Sequence, residues 1–374
     1  MGAKGKDQAM SEQYQYIDID ASGGDAILTA FANQVAYCRA ADAPITARIC
    51  GGLLELLRRG TRGAVLDAVR HWPGAPLADA LPLRIAGGLH ALHLGGIEPA
   101  LAKIYDGAEG VDDAAIIAAA LNKHEAALLP WLDGPPQTNE AGRSSNFIGA
   151  MLWLAERGLH SRFECLEIGS SAGINLMLAR YRYDLGGVKV GPEPGAMRFA
   201  PEWKGNPPPD CPIEIVSTKG CDVAPVDLAD PAQALRLKAY IWPEHTVRFE
   251  RMEAAVAEAG KAPPDLVQMN AAEFVEAELA KPQAAGTTRV LMHSIVWQYV
   301  PKDQQARVTV AMEAAGELAT AERPLAWIAV EANRTVHLHE LVVRYWPNSG
   351  KNAGAEPKML ARAHPHGASI DWRG

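Results

Sequence analysis

One ten-residue segment, LEIGSSAGIN beginning at Leu166, carries the residue types with the clearest chemical meaning in this sequence. It overlaps the end of an apolar run, 162–168, that is typical of a short β-strand. In the pattern E-x-G-x-x-x-G, Glu167 is expected to close the strand and Gly169 to permit a tight turn. Gly173 would let the backbone approach a ligand at the start of the next helix. This arrangement is typical of a nucleotide-cofactor site.

The first motif of S-adenosylmethionine-dependent methyltransferases is similar to this segment. In that family the acidic residue near the glycine turn helps to orient the cofactor, and the turn packs beside the cofactor's amino-acid and ribose portions. The resemblance therefore implies S-adenosylmethionine as the cofactor and Glu167 as a residue that orients it. The candidate cofactor-binding residues of the segment are Glu167, Gly169, Ser170, Ser171, Gly173 and Asn175.

The same segment also fits G-x-S-x-G, the nucleophile elbow of serine hydrolases, with Ser171 as the exposed nucleophile. Glu331 and either His364 or His366 follow in the usual order of acid and histidine. In α/β-hydrolases, however, several strands precede the elbow, whereas the residues before this strand look almost wholly helical. We therefore favour the cofactor interpretation and keep the serine hydrolase as an alternative. A non-catalytic ligand-binding protein on the same fold is a third hypothesis.

Further candidates follow the other expected strands, because ligands in open α/β sheets bind beyond the carboxyl ends of the strands. Asp222 is a candidate ribose ligand, although a turn explains it equally well, and Asn270 is expected to border an adenine. His293 is a candidate general base, with Trp297 and Gln298 on the substrate side. A lone histidine on an apolar strand is more often a hydrogen-bonded core residue, and aromatic residues beside valines are more often core.

The segment 137–143 concentrates donors, acceptors and charge just before a predicted helix. We expect it to fold over the same cleft, with Asn139 and Arg143 on the substrate side and Glu140 as a catalytic candidate beside His293. The simpler interpretation is that Asn139 caps the helix. Glu140 and Arg143 would then form a one-turn pair that contributes only about 0.2 to 0.5 kcal/mol.

Composition and charge exclude several classes of protein. The chain has 374 residues, of which 48% are hydrophobic and 21% charged, which is ordinary for one large globular domain or two smaller ones. A formal charge of -8 disfavours binding of nucleic acid or an anionic membrane by bulk charge, so we expect neither partner. The N-terminus lacks an apolar signal, and no apolar run approaches the ~20 residues of a membrane span. We therefore expect a cytoplasmic protein.

Neither the cysteines nor the histidines are spaced as a metal site requires. The five cysteines form no C-x-x-C pair, so we expect reduced thiols rather than a zinc ribbon. His90 and His93 lie in a helical region without a neighbouring carboxylate pattern, and His337 and His339 share a strand face without completing a ligand set. We therefore expect no metal.

The candidate site residues need a scaffold to position them. The spacing of apolar residues changes near residues 133–136, which we interpret as a domain boundary. Residues 1–24 are expected to form a flexible N-terminus. In residues 25–135 the apolar positions recur at helical spacing, which predicts a helical region. Residues 136–374 predict an α/β domain with a Pro- and Gly-rich, irregular or small β insertion at 186–212.

Strand-like and helical runs alternate within the predicted α/β domain. The expected strands are 162–168, 213–216, 266–269, 290–296 and 325–330, the expected helices are 139–157, 174–180, 247–259 and 304–319, and 336–346 with 359–372 are expected to pair as an edge hairpin. This alternation predicts a doubly wound, mostly parallel sheet covered by helices.

Several separated motifs, in order along the chain, resemble the bacterial domain-of-unknown-function family 2332. They are QTNEAGR from Gln137, LEIGSSAGINL from Leu166, YIWPE from Tyr240, HSIVWQY from His293 and HG at His366. The resemblance covers the chain from about residue 30 to its end and implies a methyltransferase-like, Rossmann-type core. We expect this core to bind S-adenosylmethionine and to methylate a small-molecule acceptor. The gap from Gly173 to Asp222 is longer than usual because of the insertion, which leaves the ribose role of Asp222 open.

Overall fold

The computed structural model describes residues 21–137, 139–333, 335–336, 338–348 and 356–374. The expected flexible N-terminus therefore lies outside the described residues, except for 21–24. The described chain divides into two compact units. The first holds the residues up to 137 together with Pro231–Phe249, and the second holds Asn139–Asp230 and Glu250–Gly374.

The helices and strands are numbered in chain order. The α-helices are α1 (Gly24–Ala40), α2 (Pro44–Arg58), α3 (Ala64–Arg70), α4 (Leu81–Leu94), α5 (Ala102–Tyr105), α6 (Asp113–Lys123), α7 (Glu125–Leu128), α8 (Ser144–Glu156), α9 (Pro231–Ala239), α10 (Thr246–Lys261), α11 (Ala271–Leu279) and α12 (Lys302–Glu317). The strands are β1 (Arg162–Ile168), β2 (Arg182–Leu185), β3 (Val188–Val190), β4 (Arg198–Phe199), β5 (Glu202–Lys204), β6 (Glu214–Asp222), β7 (Leu266–Gln268), β8 (Thr288–Ser294), β9 (Leu325–Asn333), β10 (Leu338–Trp346), β11 (Lys358–Ala363) and β12 (Ser369–Trp372). Short 3-10 helices occur at Pro99–Leu101, Leu129–Trp131, Ala141–Arg143, Ile174–Arg180 and Trp297–Tyr299.

The first unit is helical, as the apolar spacing predicted. The segment 231–249 belongs to this unit, although the sequence pattern predicted it as part of the α/β region. One contact that holds it there is a side-chain cap on a distant helix. Helix α2 has no capping side chain of its own, and the Glu244 carboxylate accepts hydrogen bonds from the amides of Ile45 (2.6 Å) and Thr46 (3.0 Å). A carboxylate at a helix N-terminus satisfies free N–H groups and suits the positive end of the helix dipole. The YIWPE motif therefore includes the cap of a distant helix.

The second unit contains a large, mostly parallel sheet flanked by helices, which confirms that part of the predicted fold class. The strand order is β5-β12-β11-β10-β9-β8-β1-β6-β7. The strands β7, β6, β1, β8 and β9 form a continuous parallel core, and β10, β11 and β12 add an antiparallel meander. The predicted edge hairpin is confirmed only in its pairing: β10 and β11 are antiparallel, but the run 359–372 forms two strands, β11 and β12, and β12 and β5 continue the sheet beyond β11.

Helices cover both faces of this sheet. On one face, Leu166, Ile168 and Leu291 pack in one apolar cluster with residues of α11 and α12. On the other face, Trp153 of α8 makes an edge-to-face contact with Tyr345 of β10. The strands are thus buried on both sides, which explains their continuous apolar runs.

Two elements differ from their predicted form. Strand β6 runs to Asp222 rather than ending near Val216, because its polar second half still pairs with residues 164–168 of β1 and with β7. The segment Ile174–Arg180 is a 3-10 helix rather than an α-helix. There the carbonyl of Ile174 accepts a hydrogen bond from the Tyr181 hydroxyl (2.7 Å). In an α-helix this carbonyl would accept a hydrogen bond from a backbone amide instead.

The Pro- and Gly-rich insertion contains short strands, in agreement with a small β insertion. Strands β2, β3 and β4 form a separate sheet, and β5 pairs with β12 at the far edge of the large sheet. All five cysteines lie in the described part of the chain and carry free thiols. No helix among the described residues is long and apolar enough to cross a membrane.

Candidate functional site

The carboxyl ends of the parallel strands meet at one edge of the large sheet, which we call the carboxyl edge (the ends of β1, β6, β8, β9 and β11). Strand β11 belongs to it because β11 is antiparallel to β10, and β10 is antiparallel to β9. The chain places β6 and β7 on one side of β1 and β8 and β9 on the other. The strand order therefore reverses between β1 and β8, and open α/β sheets bind ligands at such a point.

The segment 169–173, the β1 turn, is held by close packing that only glycine permits. Gly169 has a φ of +66°, and a Cβ atom there would lie 2.2 Å from Val296 Cγ2. Gly173 has a φ of +70°, and its Cβ would lie 2.7 Å from Pro264 Cγ. At both glycines, the space that a Cβ atom would need is therefore occupied by a side chain of the protein. The role of Gly173 toward a ligand stays a prediction.

Three amides of the β1 turn donate their hydrogen bonds to other groups of the protein. Ser170 N donates to the carbonyl of Cys221 at 3.0 Å, and Gly173 N donates to the carbonyl of Ser170 at 2.8 Å. Ser171 N donates to Asp222 Oδ2 at 2.8 Å. A phosphate cradle needs amides that point at the ligand. The turn is therefore built differently from a phosphate-binding loop.

Asp222 ends β6 beside the β1 turn and acts as a clamp on it. Besides Ser171 N, its carboxylate accepts a hydrogen bond from Ala224 N at 2.9 Å. The Asp222 carboxylate is thus hydrogen-bonded by backbone amides, which agrees with the interpretation of Asp222 as a turn residue. Its role as a ribose ligand stays a prediction.

Glu167 lies beneath the β1 turn and is only 2% exposed. Its Oε1 accepts a hydrogen bond from Asn175 Nδ2 at 3.1 Å. Among the described residues, neither Glu167 Oε2 nor Asn175 Oδ1 has a hydrogen-bond partner, although both atoms are buried. Burial raises the pKa of Glu167 from its ordinary 4.5 to about 7, and the neighbouring Ser170 and Asn175 side chains with the charge of Arg143 offset only part of this effect.

The segment 139–143 lies along the carboxyl edge, as expected, but its contacts differ from the predicted ones. Asn139 does not cap α8, because its Nδ2 donates to the carbonyl of Ser170 at 2.7 Å. Arg143 Nε donates to the carbonyl of Pro365 at 2.8 Å, just beyond β11. The segment is thus bonded at the end of β1 and at the end of β11.

Glu140 pairs with Arg251 of α10 at 3.1 Å, and it also accepts a hydrogen bond from Gly142 N. Its side chain is 3% exposed, so this is a buried ion pair. Arg251 gives no local signal in the sequence, because it lies in an ordinary amphipathic helix far along the chain. The catalytic role of Glu140 stays a prediction.

His293 is 1% exposed and is oriented by Glu331. The distance from His293 Nδ1 to Glu331 Oε1 is 2.7 Å, and the same oxygen accepts hydrogen bonds from Val296 N (3.1 Å) and Trp297 N (3.2 Å). The Trp297 ring stacks on the imidazole with centroids 5.1 Å apart. In the described part of the chain, His293 Nε2 is buried without a partner. A carboxylate-oriented imidazole of this kind can act as a base or simply hold the loop after β8.

The structure does not bring His293 and Glu167 onto one face of the sheet. The register pairs Leu166 with Leu291 and Glu167 with Met292. Successive side chains of a strand alternate between faces. His293 therefore shares the face of Leu166 and Leu291, whereas Glu167 lies on the opposite face.

The remaining candidates are spread along the same edge. Asn270 caps α11, because its Oδ1 accepts a hydrogen bond from Glu273 N at 3.0 Å. Gln298 is exposed in the loop after β8. The Ser171 hydroxyl is buried, so the predicted exposure of this nucleophile is wrong, and it has no hydrogen-bond partner within the described ranges.

The residues of the alternative interpretations are placed as follows. Glu331, the candidate acid of a hydrolase triad, bonds to His293, and His364 Nδ1 accepts a hydrogen bond from the amide of His366 at 3.1 Å. His337 lies outside the described residues. Among the residues that are described, no group of three or more His, Cys, Asp or Glu side chains could hold a metal ion.

Comparison with known proteins identifies the family of this chain. No curated protein and no solved structure matches it. A family model described as an uncharacterized protein conserved in bacteria matches residues 29–372, nearly the whole chain. This match confirms the resemblance carried by the separated motifs: the chain belongs to the bacterial family DUF2332.

Proposed function

We propose that this protein is an S-adenosylmethionine-dependent methyltransferase that acts on a small-molecule acceptor. The observation that carries the proposal is the buried Glu167 carboxyl beneath the β1 turn. Its Oε2 and the neighbouring Asn175 Oδ1 both lack a donor among the described residues. A ligand ammonium group has several N–H donors and a positive charge, so it would satisfy both oxygens.

The chemistry of S-adenosylmethionine fits this environment better than that of a dinucleotide. The cofactor carries an α-ammonium and a sulfonium but no phosphate. The site offers two carboxyl groups, Glu167 and Asp222, and the turn amides of Ser170, Ser171 and Gly173 donate within the protein. Bound cofactor supplies an electrophilic methyl group for transfer to the acceptor.

The strand order supports the same proposal. Numbered by their order along the chain, the parallel strands β7, β6, β1, β8 and β9 follow the sequence three, two, one, four, five. That is the order of Rossmann-type sheets, and Glu167 stands at the end of the central strand. Asp222 and Asn139 fix the turn from β6 and from the segment before α8, so the turn is preorganised for a ligand.

The acceptor side of the proposed site is the rest of the carboxyl edge. Arg143, Trp297 and Gln298 are the side chains that we expect to contact the acceptor. His293 lies on the opposite face of the sheet from Glu167, so its Nε2 is a candidate proton acceptor only for an acceptor that extends across the carboxyl edge. Methyl transfer needs the donor sulfur, methyl and acceptor atom in line more than it needs a fixed catalytic group. The cofactor site is therefore the sharper target for a first test.

The test is calorimetric titration of the full chain with S-adenosylhomocysteine at pH 6, 7 and 8. We expect one-site binding that strengthens as the pH rises, because the Glu167 pKa near 7 makes the carboxyl anionic above that pH. The isosteric variant Glu167→Gln should bind at least tenfold more weakly at pH 8 and lose this pH dependence. Glu214→Gln, at an exposed pair with Arg162, is the matched control. No binding by folded wild-type protein at pH 8 would reject the proposal.

A serine hydrolase is the second candidate, and one observation favours it. Ser171 has a φ of +53°, a left-handed conformation that is uncommon for serine, and nucleophile elbows are strained in this way. Reaction with a fluorophosphonate probe tests this candidate, with Ser171→Ala as the control. Labelling of Ser171 would favour the hydrolase over the methyltransferase.

A binding protein without activity would bind S-adenosylhomocysteine and transfer no methyl group.

A further inference from the structure

An open groove of about 770 Å³ lies in the helical unit, between α3 and the segment after α7. Its walls include the side chains of Trp72, Leu129, Pro130 and Leu132, and Arg84 of α4 lines it as well. The volume is within the range of small-molecule sites. Apolar walls with a small number of placed polar or charged side chains are typical of small-molecule sites.

Arg84 is 7% exposed, and its hydrogen bonds go to backbone carbonyls rather than to a carboxylate. Its Nε donates to the carbonyl of Asp79 at 2.8 Å, and its Nη1 donates to the carbonyl of Leu132 at 2.6 Å. The guanidinium carbon lies 4.9 Å from the centre of the Trp72 ring. These three contacts fix the plane of the guanidinium.

The third guanidinium nitrogen, Nη2, has no hydrogen-bond partner among the described residues of the first unit. The Asp79 carboxylate is already bonded to Trp72 Nε1 at 2.7 Å. Burial lowers the pKa of Arg84, and the nearby negative charge of Asp79 offsets only part of this effect. The groove therefore contains a fixed cation with donors to spare.

We propose that this groove binds a small aromatic monocarboxylate. The ligand carboxylate accepts hydrogen bonds from Arg84 Nη2, and the aromatic ring packs against Trp72, Leu129 and Pro130. Asp133 is exposed at the rim of the groove. Its negative charge disfavours ligands that carry a second anionic group, which is why we specify a monocarboxylate.

The experiment compares 2-naphthoate with its neutral isostere 2-naphthamide by calorimetry on the full chain. We expect saturable one-site binding of 2-naphthoate and at least tenfold weaker binding of 2-naphthamide. Equal affinities, or no saturable binding of 2-naphthoate by folded protein, would overturn the proposal. The outcome is independent of the proposed methyltransferase activity, because neither probe requires the carboxyl edge.

Two variants locate the site. Arg84→Met should remove the preference for 2-naphthoate, but Arg84 also bonds two backbone carbonyls, so this variant can fail to fold. Ala68→Glu keeps Arg84 and places a carboxylate in the groove wall, where it competes with the ligand. We expect at least a tenfold loss of 2-naphthoate affinity in Ala68→Glu and no change in Ala127→Glu, which has the same charge on exposed helix α7. Unchanged binding by Ala68→Glu would place the anion elsewhere and refute the proposal.

Discussion

The β1 turn and the loop after β8 (residues 295–297) contact each other at the carboxyl edge, and each is associated with a carboxyl group and a residue of positive φ. Glu331 has one oxygen that accepts three N–H groups, all from the loop after β8 or from His293. Glu167 is more deeply buried, yet its Oε2 has no donor in the described part of the chain. Burial of a carboxyl group therefore does not by itself indicate a ligand site. The difference lies in whether the protein supplies the donors, as it does for Glu331, or leaves them to a ligand.

The largest expected effect is at Gly169, where the two regions touch. Gly169→Ala should lower the free energy of unfolding by about 4 kcal/mol, because it forces alanine into a left-handed conformation and its Cβ into Val296. Urea unfolding of the full chain measures this loss. The control is Gly158→Ala, which has a positive φ but open space around the added Cβ, so it should cost only about 1 to 2 kcal/mol. Equal losses would mean that the two regions are not closely packed.

The next effect separates Glu331 from an ordinary surface carboxylate. Glu331→Ala should cost about 3 kcal/mol, because it leaves the His293 imidazole and two loop amides without their acceptor. The matched control is Glu313→Ala at the exposed end of a pair with Arg344, which should cost less than about 0.5 kcal/mol. A small loss at Glu331 would show that water replaces the carboxylate and that the loop does not depend on it.

Glu167 should behave in the opposite way, because the folded protein favours its neutral form. The folded-state pKa, about 7, lies above the ordinary value of 4.5, so folding stabilises the bound proton. Wild-type stability should be full below pH 4.5 and fall as the pH rises through 7, by up to about 3 kcal/mol relative to Glu167→Gln. Unfolding midpoints of both proteins at pH 4.5, 6 and 8 measure this difference. A difference that does not change with pH would contradict the buried, neutral state of Glu167.

The sequence predicts those parts of the fold and site that depend on local pattern. The alternation of strands and helices predicts a large, mostly parallel sheet, and the glycines of the β1 turn have the positive φ values that their spacing suggests. Strand β6 shows the limit of this approach. Its polar second half resembles a turn, and its pairing with β1 and β7 extends it to Asp222.

Partners that come from distant parts of the chain leave no local signal. Glu244 caps a helix that begins at Pro44, and Arg251 pairs with Glu140, although nothing in the surrounding residues indicates either contact. Asn139 has the sequence position of a helix cap, yet a tertiary hydrogen bond to Ser170 takes its amide. The motif residues are therefore recognisable in the sequence, whereas their contacts required the structure.

The smallest effect distinguishes two adjacent serines of the β1 turn. The Ser170 hydroxyl donates to the carbonyl of Glu167 at 3.1 Å, whereas the Ser171 hydroxyl has no partner within the described residues. Ser170→Ala should therefore cost about 1 kcal/mol and Ser171→Ala less than about 0.5 kcal/mol, since alanine tolerates the left-handed position about as poorly as serine does. Urea unfolding at pH 7 measures both. A larger loss at Ser171 would reveal a partner for its hydroxyl, which is what the serine hydrolase candidate requires and the methyltransferase does not.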